Sequence, residues 1–166
     1  KVPKRAYPAI VLCMAISLVL LFGLRGNHII GSDIHREYYL FQQTTNNGYW
    51  QILLNSSLDA CLSITILPTI LNIYFGIGPE YIFKAIYPLL FALIPLSVYI
   101  LSSERLEKPF PFIASFFVIA QSYFLINAYS PRTSIAVFFF AMFFLVILSN
   151  KVTGVPRIFT AIMFMF

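Results

Sequence analysis

The residues with the most chemistry in this chain lie together, in Gly31-Ser32-Asp33-Ile34-His35-Arg36-Glu37-Tyr38-Tyr39. Two carboxylates, an imidazole and a guanidinium fall between Asp33 and Glu37. If the segment is a helix, Asp33 and Glu37 are four apart and share a face, with Arg36 three from Asp33. Carboxylates so placed can hold a divalent cation jointly or divide acid and base roles. Each also has an ordinary structural use. Asp33, after Gly-Ser, is a favoured helix N-cap. Glu37 reads equally as a solvated charge or the partner of an arginine. His35 has no second His or Cys at zinc spacing and reads also as a structural polar side chain.

Four aromatics follow or overlap this cluster: Tyr38, Tyr39, Tyr49 and Trp50. They suit an interfacial aromatic belt or stacking against a sugar or a prenyl chain. Asn55-Ser56-Ser57 matches the glycosylation acceptor pattern. Two cations stand apart, Lys84 just inside one apolar run and Arg132 just before another. Charges at such depth are costly and often functional. A lipid phosphate or pyrophosphate would supply their anion, and Arg suits bidentate phosphate contact. Snorkelling to headgroups is the structural alternative.

The elements that must position these residues are apolar. Of 166 residues, 60% are apolar and 10% charged, with 18 Phe and 10 Tyr. The mean hydropathy is +0.85. A single soluble core has no room for this much apolar surface, so the composition points to an all-α membrane protein. The net charge of +5 comes from scattered basic residues, with no stripe for nucleic acid. The chain starts at Lys1 and ends inside an apolar run after Arg157. Ile158–Phe166 is about half of the roughly 20 residues a span needs, so the expectation is the N-terminal part of a longer protein. Residues 6–24 exceed a signal-peptide core and lack a small-x-small cleavage site, so a retained anchor is expected. A bridge between Cys13 and Cys61 is not expected, since Cys13 lies at membrane depth.

Charge bookkeeping sets the topology. Spans are expected at about 8–24, 81–101, 111–128 and 134–148, with a fifth from 158 onward, all in one transmembrane domain. The apolar run 60–76 is ambiguous, carrying Pro68 with Ser63, Thr65, Thr69 and Asn72. If it does not cross, the cytoplasmic side holds seven basic residues against four outside. If it crosses, Arg105, Lys108, Lys151 and Arg157 move outside. The positive-inside rule favours the first arrangement. The expected fold is therefore a multi-span helical bundle with a cytoplasmic N-terminus and a long outer loop, 25–80. A helix over 60–76 lies at the outer face. Pro88 and Pro95 are expected to kink the second span.

In that order the segments resemble the GT-C class of integral-membrane glycosyltransferases. That class includes the protein O-mannosyltransferases, oligosaccharyltransferase catalytic subunits and aminoarabinose transferases of lipid A. The likeness is greatest to an uncharacterised, mainly archaeal membrane-protein family of the class. It rests on the Gly31–Tyr39 cluster after the first span and on Leu67-Pro68-Thr69-Ile70-Leu71-Asn72-Ile73-Tyr74-Phe75-Gly76. It rests also on Phe83-Lys84-Ala85-Ile86-Tyr87-Pro88-Leu89-Leu90-Phe91 and on an outer turn with Arg132. The resemblance implies a polyprenyl-phosphate-linked sugar donor and a glycan, lipid or protein acceptor at the outer face of the plasma membrane. It puts Asp33 at the catalytic position, as base or metal ligand, with Glu37 and His35 supporting. Arg132 and Lys84 would hold the phosphate, and Tyr38, Tyr39 and Trp50 the sugar or the interface. In metal-dependent branches the cofactor would be Mg or Mn. One departure stands out: many members carry a second acidic residue between spans three and four, and Asn127–Arg132 has none.

Two other functions fit the sequence. A transporter or flippase for lipid-linked or small solutes would use kinked spans and membrane-depth cations. It would also need more polar residues at mid-depth than spans three and four offer, since they are almost entirely Phe, Ile, Val, Ala and Leu. A non-catalytic scaffold subunit would leave Asp33 and Arg132 without a role.

Overall fold

The computed structural model describes residues 3, 6–31, 33–51, 57–149 and 154–165. All regular structure among the described residues is helical. Helix α1 (Tyr7–Gly23) has Pro8 in its first turn, where a missing N–H costs nothing. Helix α2 (Asp33–Asn47) sets Asp33 at the positive end of its dipole. A 3-10 turn at Ser57–Ala60 leads to α3 (Ile66–Phe75). Gly76 ends α3 at φ 63°, a left-handed cap that glycine adopts without strain.

Helix α4 (Pro79–Ser103) is one long element. Pro88 has no N–H to offer the Lys84 carbonyl, and the helix widens to a π turn at Ile82–Ile86 just before it. Turns at Ala92 and Leu93 do the same ahead of Pro95. Both prolines expected to kink this span thus sit just after local changes of winding. Then come α5 (Phe110–Ala120) and α6 (Ser122–Ala128), with α7 (Pro131–Leu148) and α8 (Val155–Met165) completing the order.

Long-range contacts fix the ends of the bundle. At one end Tyr129 donates its hydroxyl proton to the Val19 carbonyl, and Lys84 donates to the Gly26 carbonyl. At the other, the Ser149 hydroxyl bonds Glu104 at 2.7 Å and the Tyr7 ring packs on Phe112. The chain therefore passes between the two ends in α1, α4, α5–α6 and α7. Helix α3 stays at the α2 end, tied by Thr45 to Thr69 at 3.1 Å. Helices α4 and α7 are long and apolar enough to cross a membrane, and α5–α6 makes a third if its bent halves are one span. At 17 residues, α1 is shorter.

The core is built from rows spaced by four. Val11, Ala15 and Val19 on α1 meet Phe83, Tyr87 and Phe91 on α4, all buried. Phe124 closes on Phe91 with ring centroids 5.4 Å apart. Gly23 admits a close approach: a Cβ there would stand 2.8 Å from the Lys84 carbonyl oxygen and overlap the Tyr129 hydroxyl. Outward, Leu21, Phe117, Tyr123, Ile126, Phe140 and Phe159 are exposed. Exposed apolar side chains on so many helices suit lipid better than water.

Three expectations change. The run 111–128 is not one straight helix: Gln121 is extended (φ −73°, ψ 137°), and α5 and α6 meet at 64°. The helix expected over 60–76 is shorter, because turns occupy residues 62–65. Helix α7 starts at Pro131 rather than Ser134, since extended Ser130 followed by Pro is a strong helix opening. Arg132 is thus in the first turn of a helix.

Candidate functional site

Helix α2 lies across the end of the bundle. Its inward face is Ile34, Glu37, Leu40 and Phe41, all buried, so the helix docks on protein along that face rather than on a membrane surface. Tyr38 reinforces the docking, its ring edge-on to Phe83 at 5.2 Å. Asp33 faces outward and is exposed. Sequence spacing put Asp33 and Glu37 on one face, yet their environments differ completely.

Glu37 is 1% exposed. Its Oε2 accepts the Arg132 backbone N–H at 3.2 Å, a first-turn donor that α7 itself leaves unpaired. Its Oε1 lies 4.0 Å from Arg132 Nε. No described residue donates a hydrogen bond to that oxygen. Burial pushes the Glu37 carboxyl above the usual range. The Arg132 N–H and guanidinium oppose the rise, and the charge of Asp33 adds to it. Arg132 keeps 44% of its side chain exposed beyond this pair.

Two cavities meet at Asp33. One is a polar cleft of about 270 Å³, lined by Asp33, Arg36, Glu37, Ser57, Leu58 and Arg132. The other is an apolar groove of about 540 Å³ between the ends of α1 and α6, with Phe22, Ile30, Leu125, Ile126 and Tyr129 in its walls. Asp33 borders both; Arg132 borders only the cleft. The Gln121 bend turns α6 by 64° from α5, and α6 forms one side of the groove opposite the end of α1.

The remaining candidates are placed elsewhere. Lys84 is 6% exposed and lines neither cavity; its ammonium is committed to the Gly26 carbonyl, bracing α4 against the α1–α2 connection. His35 is exposed and borders neither cavity. Tyr39 is exposed, and Tyr38 packs in the α2–α4 seam with its phenol shifted upward by burial. Trp50 donates its indole N–H to the Asp59 carbonyl at 2.8 Å. That bond holds the 3-10 turn which carries Ser57 and Leu58 into the cleft. Asn55 and Ser56 lie outside the described residues. Sequence reasoning did not find Tyr129, Ser57 or Leu58, whose contacts join residues far apart in the chain.

Among the described residues no three His, Cys, Asp or Glu side chains gather as a metal would require. No family model matches the chain, and no curated protein or solved structure was found similar to it.

Proposed function

We propose that this chain belongs to a membrane glycosyltransferase that moves a sugar from a polyprenyl-phosphate donor to an acceptor hydroxyl. The observation that carries the reading is the cleft in which Asp33 and Arg132 both stand. The motif order set out above, around Gly31–Tyr39 and Arg132, supports it too. In the proposed arrangement α1, α4, α5–α6 and α7 are four spans, and the α2 end faces outward from the plasma membrane.

Inverting transfer needs a base for the acceptor and a cation for the leaving phosphate. Asp33 is the base. Its carboxylate takes the hydroxyl proton as the acceptor oxygen bonds to the anomeric carbon. The bond from that carbon to the phosphate oxygen breaks, and the phosphate leaves with the electron pair. Arg132, exposed beyond its contact with Glu37, pairs with the charge that develops there. Glu37 is the anchor of that arginine. Glu37 is buried beside Arg132 while Asp33 is exposed, so the two do not make a ready Mg or Mn pair, and the proposed route uses no metal.

The test is Asp33→Asn in the full-length protein, reconstituted in vesicles with a radiolabelled polyprenyl-phosphate sugar. Transfer should fall by about 10²–10⁴, the usual worth of a positioned base. Full transfer by a normally folded variant would overturn the assignment. Vectorial uptake of a lipid-linked solute that persists in the variant would favour the transporter reading.

A further inference from the structure

We propose that the acceptor is itself a membrane lipid: an anionic phospholipid with a free headgroup hydroxyl, its acyl chain in the α1–α6 groove. This rests on the glycosyltransferase reading above and adds the acceptor class. The asymmetry of Asp33 leads to it. The cleft side of Asp33 holds the cation for the leaving phosphate, so the donor head belongs there. The groove side touches Asp33 and not Arg132. Whatever fills the groove meets the base alone, which is the position of the nucleophile. A groove walled by Phe22, Ile30, Leu125 and Ile126 does not suit a polar peptide or a soluble glycan; it suits a hydrocarbon chain.

Two further features fit an anionic lipid. The Arg25 guanidinium stacks over Phe22, 4.7 Å from the ring centroid, and is itself exposed. Phe22 is a wall of the groove, so this exposed cation lies against that wall without lining the groove itself, available to a headgroup phosphate beside it. The groove also has somewhere to lead. A second apolar trough, about 720 Å³, runs between α1 and α5. Its last residues, Leu21 and Ala120, adjoin Phe22 and Ser122 of the groove. Along α1 the two together extend ~24 Å at 1.5 Å per residue, more than the ~15 Å depth of one leaflet, so an acyl chain has room along its full length.

The experiment labels the full-length protein in phosphatidylcholine vesicles with phosphatidylglycerol bearing a diazirine in its acyl chain. Cross-links are mapped by peptide mass. Label should fall on residues 22–30 and 122–126. Ser122→Trp and Ile126→Trp, both at exposed positions, should each cut it several-fold while the thermal midpoint holds. Arg25→Gln should weaken competition by unlabelled phosphatidylglycerol by about tenfold, the worth of one charge-assisted contact. Asp33→Asn should keep the label and lose transfer to phosphatidylglycerol. Equal labelling by a phosphatidylcholine probe would mean bulk lipid, and stronger competition by polyprenyl phosphate would mean the donor's chain; either overturns the proposal. Transfer only to a soluble acceptor would overturn it while leaving the glycosyltransferase intact. Labelling without transfer to any acceptor would remove the glycosyltransferase and, with it, the acceptor assignment.

Discussion

Replacing Glu37 separates its charge from its role as an acceptor. The carboxylate is almost wholly buried and holds the Arg132 N–H at 3.2 Å. Glu37→Ala removes that acceptor and leaves a helix-end N–H without a partner. A hydrogen bond to a charged group is worth about 1.5–3 kcal/mol, so a loss of ~2–3 kcal/mol is expected. For a chain of this size that lowers the thermal midpoint by roughly 4–12 °C. Glu37→Gln keeps an acceptor of the same shape and removes the charge. It forfeits attraction to a guanidinium that is 44% exposed and therefore screened, ~1 kcal/mol or less. It also ends the cost of burying a carboxylate whose Oε1 has no hydrogen bond from the described residues. The two should nearly cancel, leaving the midpoint at neutral pH within about 3 °C of the parent.

The pH dependence is the sharper readout. Burial raises the folded carboxyl above its ordinary value of 4.5. Between that value and the raised one, the folded protein holds a proton that the unfolded chain releases. The stabilising contribution is full below about 4.5 and is lost as pH climbs through the raised value. The parent should therefore lose stability on that rise relative to Glu37→Gln, and the difference should level off above it. The assay is thermal unfolding in detergent, followed by Trp50 fluorescence from pH 4 to 8. If Glu37→Gln falls as far as Glu37→Ala, or if the two pH profiles run parallel, Glu37 is not the buried anchor described here.

Two more outcomes are expected. Gly23→Ala should lower the thermal midpoint by roughly 2–12 °C, because overpacking costs ~1–3 kcal/mol and one neighbour, the Lys84 carbonyl at 2.8 Å, is backbone. Arg132→Gln should reduce kcat of transfer by about 10²–10³, while Arg132→Lys, which keeps the charge and loses the fork, should be milder; steady-state kinetics with the radiolabelled donor distinguishes them.

How much the sequence disclosed depended on the range of the interaction. The helical segments around α1, α4 and α7 are continuous apolar runs with proline openings, and both signals are local. The cluster at Asp33–Glu37 was visible as a cluster. Its division into an exposed Asp33 and a buried Glu37 was not, because that depends on which face of α2 meets Phe83. Lys84 was legible as a cation at depth. Its commitment to Gly26 was not, since a carbonyl 58 positions away leaves no mark on composition. The break at Gln121 had a faint sign in the polar pair Gln121-Ser122 inside an apolar run. With no glycine or proline there, spacing alone favoured a straight helix.

That break also sets a thickness. Helix α5 has 11 residues and α6 has 7, inclined at 64° to it. Projected along α5 they reach ~21 Å, against the ~30 Å of a hydrocarbon core. If α5–α6 crosses as one span, as in the proposed arrangement, this flank of the bundle is shorter than its surroundings, and local thinning of the adjoining leaflet is one way to match it. Thinning of that kind would lie beside α6, one wall of the groove that Asp33 borders. A lipid headgroup would then come level with the carboxylate by moving sideways in its own leaflet, without being drawn out of the membrane.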